Sequence, residues 1–549
     1  MATITIDGND IQLGEHDRLN VIEAAERAGV EIPYYCWHPG LSVVASCRMC
    51  LVEVGQKDKE GKVLMQPRLV PACQTPARDG TVVVTTSEKV KENRRAVEEY
   101  LLLDHPVDCP ICDRAGECYL QDYYFQHGRS ERRDEPHPFT SRRKDLGPEV
   151  TIFTDRCVMC SRCVRFTREI AGTAELQVVN RGNHAEIDTF PGFPIDNKLS
   201  GNVVDLCPVG ALCSRDFLYK QRVWFLQSHD SICTGCSTGC SIRIDENRGA
   251  IYRLKPRFNP NANDWWMCDE GRLGFDFVAS PDRLTTPKRR AGAALNDAEW
   301  PDVLAALRSD LSEAVRRHGG KATIGVLSPM LACEEAYLLA KYLKSLNAEV
   351  RLALGRVPVV GEDDFYPKTR NGQPPAPKFT IRAEKCPNRR GVESILTALE
   401  GRVTTIDDVF AEIESGAVKS VFLTGGYSRP WLSDAEIAKL AKPELVVIVD
   451  ILASKATENA DYVLPGAAWA EKDGSYVNHD GLLQRTERAV RLPGQAHAEG
   501  RIFWELAGRP RLFHAGDVLG ELAAAVPYFA NCANQKVPEH GIRLATQNA

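Results

Sequence analysis

Residues 155–166 read DRCVMCSRCVRF, and this stretch decides how its part of the chain folds. Cys157, Cys160 and Cys163 form two successive C-x2-C steps, which present three thiolates to three corners of a [4Fe–4S] cube. Cys207-Pro208 follows after a gap of 43 residues and supplies a fourth thiolate. In two-cluster ferredoxins the Cys-Pro cysteine serves the other cluster, but no second triple is present here, so one cluster is the simpler count. Zinc sites favour two C-x2-C pairs instead.

Four arginines lie in or beside this triple: Arg156, Arg162, Arg165 and Arg168. Their positive charge would offset the negative charge of a cluster. Cys213, six residues beyond Cys207, is expected to be a small buried residue.

Another cysteine set lies near the N-terminus: Cys36, Cys47, Cys50 and Cys73. The gaps are 10, 2 and 22 residues, so the first gap is longer than in plant-type ferredoxins. Four thiolates, three of them on or near one loop, suit a [2Fe–2S] cluster. The alternative is a zinc site, but only one C-x2-C pair is present.

A third set combines one histidine with three cysteines: His105, Cys109, Cys112 and Cys118. Three thiolates can hold a [4Fe–4S] cube but leave one iron open, and His105 is the nearest candidate for that corner. By spacing alone, His105 can equally be a packed or capping residue.

The last set is Cys233, Cys236, Cys240 and Cys268, with gaps of 2, 3 and 27 residues. Three clustered thiolates and one remote thiolate favour a [4Fe–4S] cluster over zinc. Cys333, Cys386 and Cys532 are isolated in the sequence and are expected to be core or surface residues.

The composition is that of an ordinary globular protein, apart from its many cysteines. Of 549 residues, 43% are hydrophobic and 26% are charged, as in ordinary globular proteins. The net charge of −6 gives no reason to expect nucleic-acid binding. No secretory signal and no membrane-spanning run are visible. Sixteen of 19 cysteines precede residue 283, and several adjacent redox centres suggest a path for electrons.

The hydrophobic pattern predicts a multidomain protein of α+β and α/β character. A hairpin at residues 2–13, a helix at 19–28 and the cysteines that follow suggest a small α+β domain. The family resemblance described below implies that this domain is a ferredoxin-like β-grasp domain. Another helix is expected at 88–104, followed by a basic loop at 129–144. Beyond residue 283, strands at 322–328, 420–424 and 445–450 alternate with helices at 334–346 and 434–440, which predicts a parallel sheet. The predicted domains are 1–78, 79–124, 125–225, 226–282 and 283–549.

Residues 1–282 resemble a known family, the large iron–sulfur subunit of respiratory complex I, NADH:quinone oxidoreductase. The resemblance lies in the box from His105 to Cys118 followed by Leu120-Gln121-Asp122, in Tyr34-Tyr35-Cys36-Trp37-His38 and Cys47-Arg48-Met49-Cys50, and in the two parts of the Cys157 set. It implies that His105 is a ligand and that Cys207 binds the same cluster as Cys157. The cofactors it implies are one [2Fe–2S] and three [4Fe–4S] clusters.

The same resemblance implies an electron-relay subunit that acts only within its complex. Electrons from NADH, by way of a flavin subunit, would enter at the [2Fe–2S] cluster. They would then pass the His105 cluster and the Cys157 cluster toward quinone. The implied partners are the flavin/NADH subunit and other iron–sulfur subunits of the peripheral arm. The implied location is the cytoplasmic face of the bacterial inner membrane.

The remaining chain resembles molybdopterin oxidoreductases, both in the Cys233 set and in the motifs at 458–465 and 471–478 with Gln484. Only 267 residues follow Asp282 (549 minus 282), which is short for a working enzyme of that class, so no molybdopterin is expected. Gly425-Gly426 follows a strand but lacks G-x-G-x-x-G, a weak phosphate signal. The alternative function is the cluster-bearing subunit of an NAD-linked formate dehydrogenase or hydrogenase; a zinc scaffold is the non-redox alternative.

Overall fold

The computed structural model describes residues 2–131, 133–135, 138, 143–180, 182–369, 376–533 and 536–544. The chain forms two compact units. One comprises Met1–Leu226 with Tyr366–Lys378, and the other comprises Gln227–Phe365 with Phe379–Ala549. Parts of the predicted basic loop, at residues 132, 136, 137 and 139–142, lie outside the described residues.

The first unit begins with a six-stranded mixed sheet and one helix. The strands are Ala2–Ile6, Asn9–Leu13, Leu51–Lys57, Val63–Met65, Val70–Pro71 and Thr81–Val84, and the helix is Val21–Arg27. The hairpin pairs in antiparallel register, whereas Thr5 pairs with Val82 in parallel. Asn20 caps the helix in a capping box with Glu23. Hairpin and helix are confirmed, and the fold is ferredoxin-like.

The rest of this unit is built from short elements that carry cysteines. The helices are Glu88–Asp104, Tyr119–His127, Arg162–Phe166, Asn202–Leu206 and the π-helical turn Thr167–Ala171. The strands are Lys144–Asp145, Val150–Ile152, Leu176–Val179, Glu186–Thr189 and Leu212–Ser214. Single 3-10 turns are Thr154–Arg156, Gly182–His184 and Val223–Phe225. The helix predicted at 88–104 is confirmed.

The second unit starts with a three-stranded antiparallel sheet that carries the last cysteine set. Its strands are Gln227–Ile232, Ser241–Asn247 and Ala250–Pro256, followed by the helix Asp269–Leu273 and the 3-10 turn Asp276–Ala279.

A seven-stranded sheet forms the centre of the second unit. Its strands, in spatial order, are Ala294–Asp297, Lys288–Ala291, Tyr462–Pro465, Leu445–Asp450, Ser420–Thr424, Thr323–Leu327 and Arg351–Leu354. The last five are parallel, which confirms the predicted parallel sheet. Val446 and Ile448 belong to one hydrophobic core, while Val447 and Val449 belong to another. This alternation buries both faces of the sheet under helices, as in doubly wound folds.

Helices cover the two faces, and short strands complete the unit. The helices are Trp300–His318, Cys333–Leu346, Arg389–Glu400, Ile406–Glu414, Asp434–Lys439, Lys455–Glu458, Glu499–Leu506 and Ala515–Ala525. The further strands are Asp364–Tyr366, Phe379–Ile381, Gly474–Val477, Leu482–Thr486 and Ile542–Arg543. The 3-10 helices are Gly320–Ala322, Trp469–Glu471 and Pro527–Cys532.

Candidate iron–sulfur sites

The Cys157 set gathers around one cavity. Cys157, Cys160, Cys163 and Cys207 all line one small cavity. The loop curls tightly because Met159 and Ser161 adopt left-handed backbone conformations (φ of 52° and 58°). Four thiols on the wall of a common space are the arrangement that a cubane cluster requires.

The Cys233 set gathers in the same way in the second unit. Cys233, Cys236, Cys240 and Cys268 line one small cavity. The amide of Cys233 donates to the carbonyl oxygen of Cys240 at 2.8 Å. A Cβ at Gly271 would lie 2.7 Å from the sulfur of Cys233, so only glycine leaves that thiol its place.

The Cys36 set consists of two thiol pairs. Cys47 donates to Cys36, and this hydrogen bond is the largest cause that lowers the pKa of Cys36 to about 5. Cys73 donates to Cys50 and lowers the pKa of Cys50 in the same way. The amide of Ala72 donates to the Cys50 carbonyl at 3.0 Å, which holds the distant Cys73 beside the loop. All four thiols are thus brought together in pairs.

The His105 set is less evenly gathered. His105, Cys109 and Cys118 line one wide cleft of about 1480 Å³, much of it open to solvent. Cys112 is not among the residues that line it; its sulfur lies against Gly210, where a Cβ would collide with it. Burial, and then the nearby Arg156, lower the pKa of His105 to about 4. The imidazole is therefore neutral at pH 7, the state in which it can bind a metal.

The spacing of these side chains tests which group they fit. A single zinc ion draws its thiolates to about 2.3 Å from one centre. In two of the sets, four thiols instead face a shared cavity. A [4Fe–4S] cluster needs four ligands around one shared space, so the thiols of these two sets fit that group.

Within the first unit, arginine side chains that donate to backbone carbonyl oxygens join the Cys157 set to both other sets. One Nη atom of Arg165 donates to the carbonyl oxygens of Cys36 and Cys160. Arg114 donates to the Cys207 carbonyl at 2.5 Å from the loop of the His105 set. The neighbourhoods of the Cys36 and His105 sets also meet, since the amide of Tyr34 donates to the hydroxyl of Tyr123 at 3.3 Å and the rings of Tyr35 and Tyr123 pack together.

Guanidinium groups that the sequence analysis did not select hold several cysteine backbones. Arg222 donates to the carbonyl oxygens of Cys109 (2.8 Å) and Cys112 (3.1 Å). Arg222 lies 110 residues beyond Cys112 in the sequence. No local spacing signal links positions so far apart.

In the second unit, residues of the motif at 471–478 and Gln484 form hydrogen bonds to the loop that carries the Cys233 set. Asn478 donates to the carbonyl of Thr238 at 3.0 Å, and Gln484 donates to that of Gly239 at 2.7 Å. Gln484 also accepts a hydrogen bond from Ser241. These amides fix the loop that carries the Cys233 set.

The weak phosphate signal at Gly425-Gly426 does not mark an open site. The carboxylate of Asp450 accepts hydrogen bonds from the Gly426 amide and from the Trp431 indole, both at 2.9 Å. A protein carboxylate thus fills the position that a phosphate would take.

The remaining cysteines are core residues. Cys213, Cys333, Cys386 and Cys532 are all buried. The thiol of Cys213 donates weakly to the Gly210 carbonyl at 3.6 Å. Among the described helices, none has both the length and the apolar character needed to cross a bilayer.

Family models match the chain in the order that the motifs suggest. The 2Fe-2S iron-sulfur cluster binding domain matches residues 1–88, the NADH-ubiquinone oxidoreductase-G iron-sulfur binding region matches 94–133, and the ferredoxin-like domain of NADH-quinone oxidoreductase subunit 3 matches 147–213. The molybdopterin oxidoreductase Fe4S4 domain matches 226–280, and the molybdopterin oxidoreductase model matches 395–509. Domains that bind 2Fe–2S and 4Fe–4S clusters are therefore present.

Whole-chain relatives agree with these domains. The NADH-quinone oxidoreductase G subunit of Rickettsia bellii is 28% identical over 97% of this chain and 90% of its own length. The corresponding protein of Streptomyces coelicolor is 38% identical over 63% of this chain and 39% of its own length. The mitochondrial NADH-ubiquinone oxidoreductase 78 kDa subunit of Candida albicans is 37% identical over 59% of this chain and 44% of its own length.

Proposed function

Because this chain belongs to the family of large iron–sulfur subunits of NADH-quinone oxidoreductase, we propose that it relays single electrons from the NADH/flavin subunit toward the quinone-proximal cluster. The observation that carries the proposal is the gathering of cysteines on shared cavities in both units. The chain is an oxidoreductase subunit, active as part of its complex.

The proposed ligands form four sets. A [2Fe–2S] cluster is assigned to Cys36, Cys47, Cys50 and Cys73. Three [4Fe–4S] clusters are assigned to His105 with Cys109, Cys112 and Cys118, to Cys157, Cys160, Cys163 and Cys207, and to Cys233, Cys236, Cys240 and Cys268. When bound, each cluster would gain or lose one electron with little rearrangement. The chain's own groups hold the sulfurs, exclude water and set the local charge.

The proposed order of the relay differs from the order that the family resemblance implied. Arg165 links the backbones of the Cys36 and Cys157 sets, and Arg114 links those of the Cys157 and His105 sets. A route that follows these backbone contacts enters at the Cys36 set, continues through the Cys157 set and leaves at the His105 set. The Cys233 set belongs to the other unit and is proposed to lie off this route.

The second unit is proposed to be a scaffold without a molybdopterin. Its parallel sheet resembles the molybdopterin oxidoreductases over 395–509, but the Asp450 carboxylate occupies the turn at Gly425-Gly426.

The family implies that the partners of this chain are other complex I subunits. The specific neighbours proposed are the flavin/NADH subunit and the peripheral-arm iron–sulfur subunits, at the cytoplasmic face of the inner membrane.

Metal analysis of the full chain, purified without oxygen, tests the proposal. The expected result is about 14 iron atoms and about 14 labile sulfides per chain, since one [2Fe–2S] and three [4Fe–4S] clusters contribute two and three times four. Stoichiometric molybdenum or tungsten would favour a formate dehydrogenase instead. A near-integer zinc content with negligible iron and sulfide would show that the chain is a structural zinc protein and not an electron relay.

A further inference from the structure

Arg162 is a buried cation with hydrogen-bond donors that no described protein group accepts. It lies between Cys160 and Cys163, and only 3% of its surface is exposed. Its Nη1 donates to the carbonyl oxygen of Leu206 at 3.1 Å. Its Nε and Nη2 are buried without an acceptor among the described residues. Leaving such donors unmet in the interior destabilises the folded protein, so an acceptor is to be expected nearby.

The surroundings of Arg162 point to the cavity of the Cys157 set as the place of that acceptor. The guanidinium carbon lies 5.6 Å from the ring of Tyr34 and 5.5 Å from that of Tyr119. Aromatic faces stabilise the charge of a cation but do not replace acceptors for N–H groups in the guanidinium plane. The remaining neighbour is the cavity of the Cys157 set, because Arg162 is one of the residues that line its wall.

The other three arginines near this triple are differently placed. Arg156 is paired with Asp108 at 2.9 Å, which offsets its charge. Arg165 donates from both Nη atoms to backbone carbonyls. Each of these two arginines has one buried nitrogen without an acceptor among the described residues, whereas Arg162 has two. Arg168 is exposed, so water and salt screen its charge. Of the four, only Arg162 lines the cavity.

We infer that Arg162 raises the reduction potential of the cluster held by the Cys157 set, by donating its Nε–H and Nη2–H to the sulfur atoms of that cluster. The inference rests on the proposed function, since it needs the cluster. One electron enters the cluster on reduction and no proton is transferred. The fixed positive charge and the two donors stabilise the extra negative charge, which is how hydrogen bonds to sulfur tune such centres.

The position of Arg162 gives the inference a second consequence. Tyr34 lies two residues before Cys36, and Tyr119 directly follows Cys118. The guanidinium therefore faces rings that belong to the neighbouring cluster sites as well. Its charge should affect those two clusters too, but less, because its free donors lie beside the cavity of the Cys157 set.

The test uses the full chain, purified without oxygen with its clusters, in redox titrations followed by EPR. Arg162→Gln removes the charge, Arg162→Lys keeps the charge but loses the planar fork, and Arg168→Gln removes the same charge at an exposed site. We expect Arg162→Gln to lower the equilibrium constant for reduction of the Cys157 centre about tenfold. For a one-electron couple this lowers the reduction potential by about 59 mV. Arg162→Lys should give a smaller shift, and Arg168→Gln almost none.

The readouts separate this inference from the proposed function. Absence of the Cys157 centre from the wild-type chain would refute the proposed function. With that centre present, an unchanged potential in Arg162→Gln, or an equal shift in Arg168→Gln, would overturn the role of Arg162. Loss of the cluster from both Arg162 variants would show a purely structural residue and overturn it as well.

Discussion

Replacing Lys472 by methionine should destabilise the second unit by about 3–5 kcal/mol, the cost of removing one partner from a buried charge pair. The ammonium donates to Glu335 at 2.9 Å and to Glu499 at 2.7 Å. None of the three side chains is more than 4% exposed. Methionine keeps much of the volume of lysine, so the loss measures charge rather than a cavity. Two carboxylates would remain buried side by side without their cation.

The size of this effect should depend on pH. Burial raises the pKa of Glu335 from its ordinary 4.5 to about 7, although Lys472 opposes the shift. A carboxyl whose folded pKa is raised binds more protons when folded, so stability falls as pH rises from about 4.5 to 7. Without Lys472 this pKa rises further and the window extends upward. The loss in the variant should therefore be larger at pH 8 than at pH 5.

Amide hydrogen exchange of the full chain measures this loss in the right place. The strand Leu445–Asp450 lies inside the central sheet of the same unit, and its protection reports the free energy of opening. Lys455→Met is the matched control, because Lys455 pairs with Asp434 at the surface, with 70% and 80% of the two side chains exposed. A loss below about 1 kcal/mol at pH 8, or the same loss as in the control, would refute the reasoning.

Three further changes test individual sites. His105→Cys should keep a [4Fe–4S] centre and lower its potential, because a thiolate adds negative charge; unchanged potentials in redox-titrated EPR would reject His105 as a ligand. Cys268→Ala should remove one EPR signal at little cost to NADH:quinone turnover of the assembled complex, and a large loss of turnover would place that cluster on the route. Gly271→Ala should lower the iron content of the chain, because the new Cβ would lie 2.7 Å from the Cys233 sulfur. Gly235→Ala is the control and should leave the iron content unchanged, because its Cβ would lie 3.5 Å from the same sulfur. Equal iron contents in the two variants would contradict this prediction.

Local patterns predicted the parts of the fold that local forces determine. The strands at 420–424 and 445–450 have the predicted bounds, because continuous apolar runs of that length are typical of strands buried on both faces. The helix at 88–104 also has its predicted bounds and ends where His105 turns extended. Cysteine spacing likewise selected the residues that line the two four-thiol cavities.

Long-range contacts left no such pattern. Arg222 donates to the backbone carbonyl oxygens of Cys109 and Cys112. Every residue has such a carbonyl, so the spacing of side chains in the sequence could not predict this contact. The filling of the turn at Gly425-Gly426 depends on Asp450, which belongs to the neighbouring strand. The contacts that favour the relay order are of the same kind, since Arg165 joins residues more than 120 positions apart.

The central claim, four separate clusters in one chain, is tested most directly by removing one ligand from each set and recording EPR spectra of the reduced full chain. The variants are Cys36→Ala, Cys109→Ala, Cys157→Ala and Cys233→Ala. Each variant is expected to lose one centre and to keep the other three. A variant that loses two centres, or a spectrum that no variant changes, would contradict it.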